Sequence, residues 1–315
     1  MTVPPAPERT GGAIYALAAI PVLFWGSSFV ATKVALRAFG PWDIVGLRSL
    51  LGVAVLLAAT PWRRRATLDE PRAGDGVKTL LLGILGLPVH LALQAWALTL
   101  TSAVHSGWLI TLNPVFTSTL AALVLRERFP PAKAGGLALG LAGALTVIAG
   151  RHGLATLAFP GTRGDLLVLL SSLNWAAYTL LARDLAVRRD PFRLTARALA
   201  AGSVASTALW IALGHPAGAA GASLEGWVAI VFLGVGCTGA GYLAWSAALE
   251  RLEAGTLSSF QFVQPLVTVA VARVWIGESA GMTVLAGGAL VLGGVALVQR
   301  GARVAPASRR ESRYI

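Results

Sequence analysis

The sequence predicts an all-α integral membrane protein: ten transmembrane helices arranged as two inverted five-helix repeats, with both termini cytoplasmic. Three observations predict it. The chain holds ten apolar runs of spanning length, its Lys and Arg residues collect in alternate gaps between them, and its landmarks recur about 150 positions apart.

Composition sets the solvent. Of the 315 residues, 56% are hydrophobic and 13% charged, against roughly 25% charged in an ordinary soluble domain. Too little charge is present to cover a water-facing surface, so the lipid bilayer is the expected surroundings. The net charge of +12 would suggest nucleic acid in a soluble chain. Here the cations sit in short gaps between apolar runs, which reads as topology control, and no nucleic-acid partner is expected. The single cysteine, Cys237, lies in an apolar run and excludes an intrachain disulfide framework. The polar, Pro-rich residues 1–12 precede a run of spanning length, so a cytoplasmic tail is expected rather than a signal peptide.

The runs are 13–36, 42–60, 78–98, 103–125, 133–150, 165–182, 194–213, 225–249, 255–276 and 281–299. Most approach the ~20 residues that cross ~30 Å of hydrocarbon. Backbone groups in lipid must be hydrogen-bonded internally, so each run reads as a helix. With a cytoplasmic N-terminus, 20 Lys and Arg fall on the inner side, including Arg63, Arg64 and Arg65, Arg126 and Arg128, and the basic tail 301–315. Four (Lys33, Arg37, Arg151 and Arg163) fall on the outer side, and Arg48 and Arg273 lie within runs. That split is the positive-inside signature. Trp42, Trp62, Trp210, Trp227 and Trp275 lie near run ends, where an aromatic belt belongs. The Ala, Gly and Arg richness points to a bacterial inner membrane.

A shift of 150 sets Trp25 on Trp175, Lys33 on Arg183 and Pro41 on Pro191. A shift of 151 sets Asn113-Pro114 on Gln264-Pro265, Glu127 on Glu278 and Gly143 on Gly294. The first repeat is therefore 13–150 and the second 165–300. Five spans per repeat is an odd number, so the second must enter the membrane from the opposite face, an arrangement common in secondary transporters.

The segment FWGSSFVATKVAL (24–36), Arg48, LTSAVHSGWLITLNPVF (100–116) and LRERF (125–129), with the degenerate second copy NWAAYTLLAR (174–183) and LEAGTLSSFQFVQPLVTVAVARVWIGE (252–278), resemble the EamA branch of the drug/metabolite transporter superfamily. The resemblance covers nearly the whole chain. It implies the ten-helix fold and the export of small metabolites, amino acids foremost. The chain departs from the motif where Asn174-Trp175-Ala176 replaces Phe24-Trp25-Gly26, and where His105 takes the place of a small apolar residue.

Candidate functional residues are those that are polar or aromatic halfway along a run: Trp25, His90, Asn113, Trp175 and Gln264. His90 and Gln94 are one turn apart on one face, Trp96 is near them, Trp108 precedes Asn113, and Tyr178 follows Trp175 by about a turn. Trp25, His90, Gln94, Trp108, Trp175 and Tyr178 can line a pocket with aromatic walls and a few neutral hydrogen-bonding groups, suited to a zwitterion with an apolar side chain. Each tryptophan can equally be packing. Asn113 and Gln264 precede Pro114 and Pro265, and proline frees a carbonyl one turn earlier; the amides read as satisfying that backbone, and the four residues together as a hinge used twice. Arg48 lies ~10 Å inside its run, where it must face protein or water. It either attracts a carboxylate or anchors a helix end. Arg273 and Glu278 read as a local pair or as snorkelling, and Glu127 and Glu278 as architectural. Gly135, Gly136, Gly140, Gly143, Gly287, Gly288, Gly293 and Gly294 read as close helix packing rather than a phosphate loop.

No Walker motif, nucleophile triad or metal cluster is visible, so neither enzyme activity nor a cofactor is expected. The expected function is a carrier of small metabolites working by alternating access, as a monomer or homodimer. The alternatives are a proton-coupled multidrug or metabolite exporter and a non-transporting membrane protein such as a lipid scramblase. All 14 acidic residues fall in loops, tails or run ends, so the carrier reads as facilitative rather than proton-driven.

Overall fold

A computed structural model describes residues 12–59, 72–125, 131–152, 163–186, 190–249 and 260–303. Arg9, Trp62, Arg63 to Arg65, Arg126, Glu127, Arg128 and the tail beyond 303 lie outside the described residues. No strand occurs among the described residues.

The helices follow the apolar runs. They are α1 (Gly12–Ala35), α2 (Pro41–Ala59), α3 (Asp75–Leu100), α4 (Ala103–Leu109 continued through Ile110–Leu112 to Asn113–Leu125), α5 (Pro131–His152), α6 (Arg163–Ala186), α7 (Pro191–Leu213), α8 (Leu224–Val231 continued through Phe232–Ala240 to Gly241–Leu249), α9 (Gln264–Trp275) and α10 (Met282–Arg303). The first eight are long and apolar enough to cross a membrane; the apolar part of α10, Met282–Val298, is shorter, and so is α9. The expected ninth run, 255–276, is described only from 260.

Polar caps set several starts outside the apolar runs. α3 begins at Asp75, three residues before its expected run; the Asp75 carboxylate accepts from the Arg72 N–H at 2.9 Å, which fixes the turn that leads into the helix. Asp190 accepts from the Arg193 N–H at 2.8 Å, with Pro191 in the first turn of α7, where its missing N–H costs nothing. Ser102 and Ser223 cap α4 and α8 in the same way.

Two kinds of irregularity recur. A π-helical stretch interrupts α3 at Leu85–Val89 and α8 at Phe232–Ala240. A 3₁₀ turn, Ile110–Leu112 or Gln261–Val263, leads into Asn113-Pro114 and Gln264-Pro265. In α3 the cause is local: Pro88 lacks the N–H that a regular helix needs there.

The packing pairs recur as well. α1 lies on α9 as α6 lies on α4, α3 on α7 as α8 on α2, and α3 on α6 as α8 on α1; α5 packs on α10, α2 on α7 and α4 on α9. Glycine makes the closest approaches. A Cβ on Gly136 would stand 2.6 Å from the Gly294 carbonyl oxygen, and one on Gly83 2.1 Å from that of Ala198, so α5–α10 and α3–α7 meet backbone to backbone. Large apolar side chains such as Leu123, Val204, Leu224 and Val274 point outward and are exposed. In water they would be an aggregation liability; on eight spanning-length apolar helices they are the lipid-facing surface of a multi-pass membrane protein.

Candidate functional site

The two π stretches lie along a central cavity, and a carbonyl of each accepts a hydrogen bond from a neighbouring helix. In α3, the Leu85 carbonyl accepts from Asn174 Nδ2 of α6 at 2.9 Å. In α8, the Cys237 carbonyl accepts from Trp25 Nε1 of α1 at 3.0 Å. The asymmetry of the sequence motif has its reason here: an asparagine amide does in one half what a tryptophan indole does in the other. Gly26, next to Trp25, lets α1 approach α9, where a Cβ would stand 2.8 Å from the Gln264 carbonyl oxygen; Thr268 Oγ1 donates to the Gly26 carbonyl at 2.7 Å.

The cavity has two compartments that share Trp25, Asn113, Trp175, Tyr242 and Gln261. The inner chamber, about 70 Å³, also takes in Arg48, His90, Gln94 and Gln264. The wider compartment, about 460 Å³, takes in Pro114, Tyr178, Thr195 and Ser246, and reaches toward the end of the bundle where α3 and α7 begin and α6 and α8 end. Its walls are aromatic. Trp175 stacks on Tyr178 with ring centroids 4.9 Å apart and leans on His90 at 5.0 Å. Opposite, Trp25 meets Tyr242 at 5.6 Å and Trp245 at 5.3 Å. Gln94 Nε2 and His90 Nε2 are 3.1 Å apart. Asn113 Oδ1 and His90 Nδ1 are buried without a hydrogen-bond partner. Arg48 is buried, and its Nε donates to Thr238 Oγ1 at 3.0 Å. Gly52, one turn along α2, leaves room for Thr238: a Cβ there would stand 2.4 Å from it.

Of the residues singled out in the sequence, Trp25, Arg48, His90, Gln94, Asn113, Trp175, Tyr178, Pro114 and Gln264 meet at this cavity. Pro265 is buried beside it in the first turn of α9. Trp108 is a correction. It is buried on the far side of α4, where Gly288 of α10 makes room for its ring, and its Nε1 has no partner. The cavity face of α4 carries Ile110 and Asn113; Trp108 is two residues from Ile110, more than half a helical turn away. Trp96, 45% exposed, likewise turns away from Gln94 to the outside. Neither Asn113 nor Gln264 bonds backbone through its amide among the described residues, so the expected carbonyl-satisfying role gives way to a cavity-facing one. Thr238, Tyr242 and Gln261 were not expected. The 151-residue shift carries Leu87, Leu91 and Ile110, all cavity-lining, onto Thr238, Tyr242 and Gln261; the repeat was a usable signal for them.

The other end of the bundle is shut by buried polar contacts. Asp165 of α6, fully buried, accepts from Thr101 Oγ1 and lies 3.5 Å from His105 Nδ1. His105, the departure in the motif, thus faces an acid. Glu278 accepts from the Val104 N–H at the start of α4 at 3.2 Å, so it caps a helix and makes no pair with Arg273 among the described residues. Asp43 accepts from Gly40 N–H, Trp210 Nε1 and His215 N–H at 2.9, 2.9 and 2.7 Å, tying α2 to the end of α7. No cluster of metal-binding side chains is found among the described residues.

Comparison with known proteins agrees with this architecture. The sequence model of the EamA-like transporter family matches twice, at residues 12–149 and 162–300. An "Uncharacterized transporter" of Archaeoglobus fulgidus is 31% identical over 288 residues, 90% of this chain and 97% of that one. A "Probable terminal-alkyne amino-acid exporter" of Streptantibioticus cattleyicolor is 30% identical over 293 residues, 91% and 93% of the two chains. A solved crystal structure superposes with a TM-score of 0.65 at 23% identity over 93% of this chain and 98% of its own, a likeness of fold. The chain belongs to the EamA-like transporter family and is a multi-pass membrane transporter.

Proposed function

We propose that this chain exports amino acids with aromatic or other apolar side chains across a bacterial inner membrane, by alternating access through the central cavity. The observation that carries the reading is the cavity itself: an Arg48 guanidinium and a cluster of neutral hydrogen-bonding groups between two aromatic walls, one on Trp25 and one on Trp175. Such a site takes a carboxylate at Arg48 and an apolar side chain against the rings. The Streptantibioticus relative, by its name an amino-acid exporter, supports the same class of cargo.

The mechanism needs two inverted repeats of five spans. The doubled family match, the recurring π and 3₁₀ turns and the paired packing of helices support that arrangement. The positive-inside pattern supports cytoplasmic termini; in that orientation the wide compartment opens inward while the Asp165 and Asp43 contacts close the outside. α4 and α9, each with a 3₁₀ turn before Pro114 or Pro265, are the elements that exchange these states. The test is flux of a panel of labelled amino acids into liposomes holding the purified chain. Saturable uptake of phenylalanine or leucine, absent from empty liposomes and reduced by Trp175→Ala, is expected. Equal leakage with and without the chain for every member overturns the reading.

A further inference from the structure

The charge inside the cavity is unbalanced. Arg48 is its one ionised lining residue, and no Asp or Glu lines either compartment among the described residues. Its hydrogen-bond partner, Thr238, is neutral. The nearest acid along the same helix, Asp43, is five residues away, about 7.5 Å of rise, and its oxygens are engaged by Gly40, Trp210 and His215. Asp165 is engaged at the closed end with Thr101 and His105. A buried guanidinium without a counter-ion is costly in a low-dielectric interior, and within a membrane such a charge marks a ligand path. The cargo must bring the missing negative charge. The same cavity offers an ammonium group only neutral acceptors, among them Asn113 Oδ1, a ring nitrogen of His90 and the glutamine oxygens, and leaves it in the field of Arg48.

We infer that the cavity is an anion site, which recognises its cargo by a carboxylate seated on Arg48 and has no use for an amine. This rests on the proposed transport of small apolar metabolites through the same cavity and narrows its substrate class to apolar monocarboxylates, of which an amino acid is one member and a deaminated acid a better one. Arginine suits this role because its planar fork meets a carboxylate with two parallel hydrogen bonds. Thr238, on the Nε edge, holds the fork in one orientation. An amine-free cargo carries one net negative charge, so its transport moves charge and responds to membrane potential; an inside-negative cell expels it.

Four compounds with one ring test this in liposomes containing the full chain: phenylalanine, 3-phenylpropanoate, phenylalanine amide and phenethylamine, each competing with labelled phenylalanine in counterflow. The expected order has 3-phenylpropanoate competing at least as strongly as phenylalanine, and the amide and phenethylamine at least tenfold more weakly. Labelled 3-phenylpropanoate is expected to distribute by about tenfold per 60 mV of imposed potential. Arg48→Lys should keep the preference for acids in weakened form and Arg48→Gln should abolish it. If the amide competes as well as 3-phenylpropanoate, or if potential leaves the distribution of 3-phenylpropanoate unchanged, the anion site is wrong while amino-acid export stands. If 3-phenylpropanoate is carried and phenylalanine is not, the anion site stands and amino-acid export is wrong. Carriage of none of the four overturns both.

Discussion

Trp175 and Trp108 look alike in sequence and differ in place. Trp175 closes the cavity between His90 and Tyr178, so Trp175→Ala should lower flux at least tenfold through loss of a wall while the protein still inserts and is purified in normal yield. Trp108 packs away from the cavity with an unpaired Nε1, so Trp108→Phe loses no hydrogen bond and should leave flux within about twofold of the parent. The two variants measured side by side separate cavity from core, and equal loss in both would remove Trp175 from the site. Most of the candidate site was legible in the sequence because a polar or aromatic side chain at mid-span is costly unless it has a purpose. Trp108 was misread because nearness to Asn113 in sequence is not a shared face: five residues along a helix leave two side chains about 140° apart. Thr238 was passed over because a threonine hydroxyl can bond a carbonyl of its own helix, and Tyr242 because its ring is mostly apolar, so neither raises a question in an apolar run.

Two helices lack a backbone donor at or beside the cavity. Pro114 and Pro265 each follow a 3₁₀ turn at the cavity, and restoring the N–H by Pro114→Ala or Pro265→Ala should straighten one helix and not the other. The expected outcome is a shift of accessibility in opposite directions: single cysteines along the wide compartment, placed in a Cys237→Ala background, gain labelling in one variant and lose it in the other. Unchanged labelling in both would make the prolines packing features. The closed end gives an independent lever. Asp165 joins α6 to Thr101 and His105 at the α3–α4 corner, so Asp165→Asn removes the charge that faces His105 while keeping the shape. It should loosen that end, raising labelling of a cysteine at Ile110 by an impermeant maleimide applied to the outside of cells. No rise would mean that the closure rests on apolar packing of Phe29, Val104 and Leu109 alone. The helices themselves were readable from hydropathy. Their true starts at Asp75 and Pro191 were not, because the polar residues that open a helix lie outside the apolar run that announces it. The π stretches were equally hidden, since Pro88 signals a break without saying how the chain repairs it.

At the scale of the molecule the open question is what drives the cargo. A proton-coupled carrier needs an acid or a histidine that is loaded from one side, released to the other, and coupled to the cargo on the way. Among the described residues, the buried acids are Asp43 and Asp165 at the closed end, each engaged in fastening helices together, and Asp75 in the first turn of α3, outside the cavity, where it accepts from the Arg72 N–H. His90 is the one imidazole or carboxyl side chain in the described cavity lining, and it is flanked by Gln94 and Trp175 rather than by a second proton carrier. One imidazole beside an amide and an indole offers no relay to either face. The arrangement therefore predicts a facilitator, in which gradient and membrane potential of the cargo itself supply the force. With potential clamped at zero by potassium and valinomycin, labelled phenylalanine should reach the same concentration inside and outside liposomes, whether or not a pH gradient is imposed. Accumulation beyond that level, tracking the pH gradient and lost in His90→Ala, would instead make His90 the proton carrier and the transporter an active one.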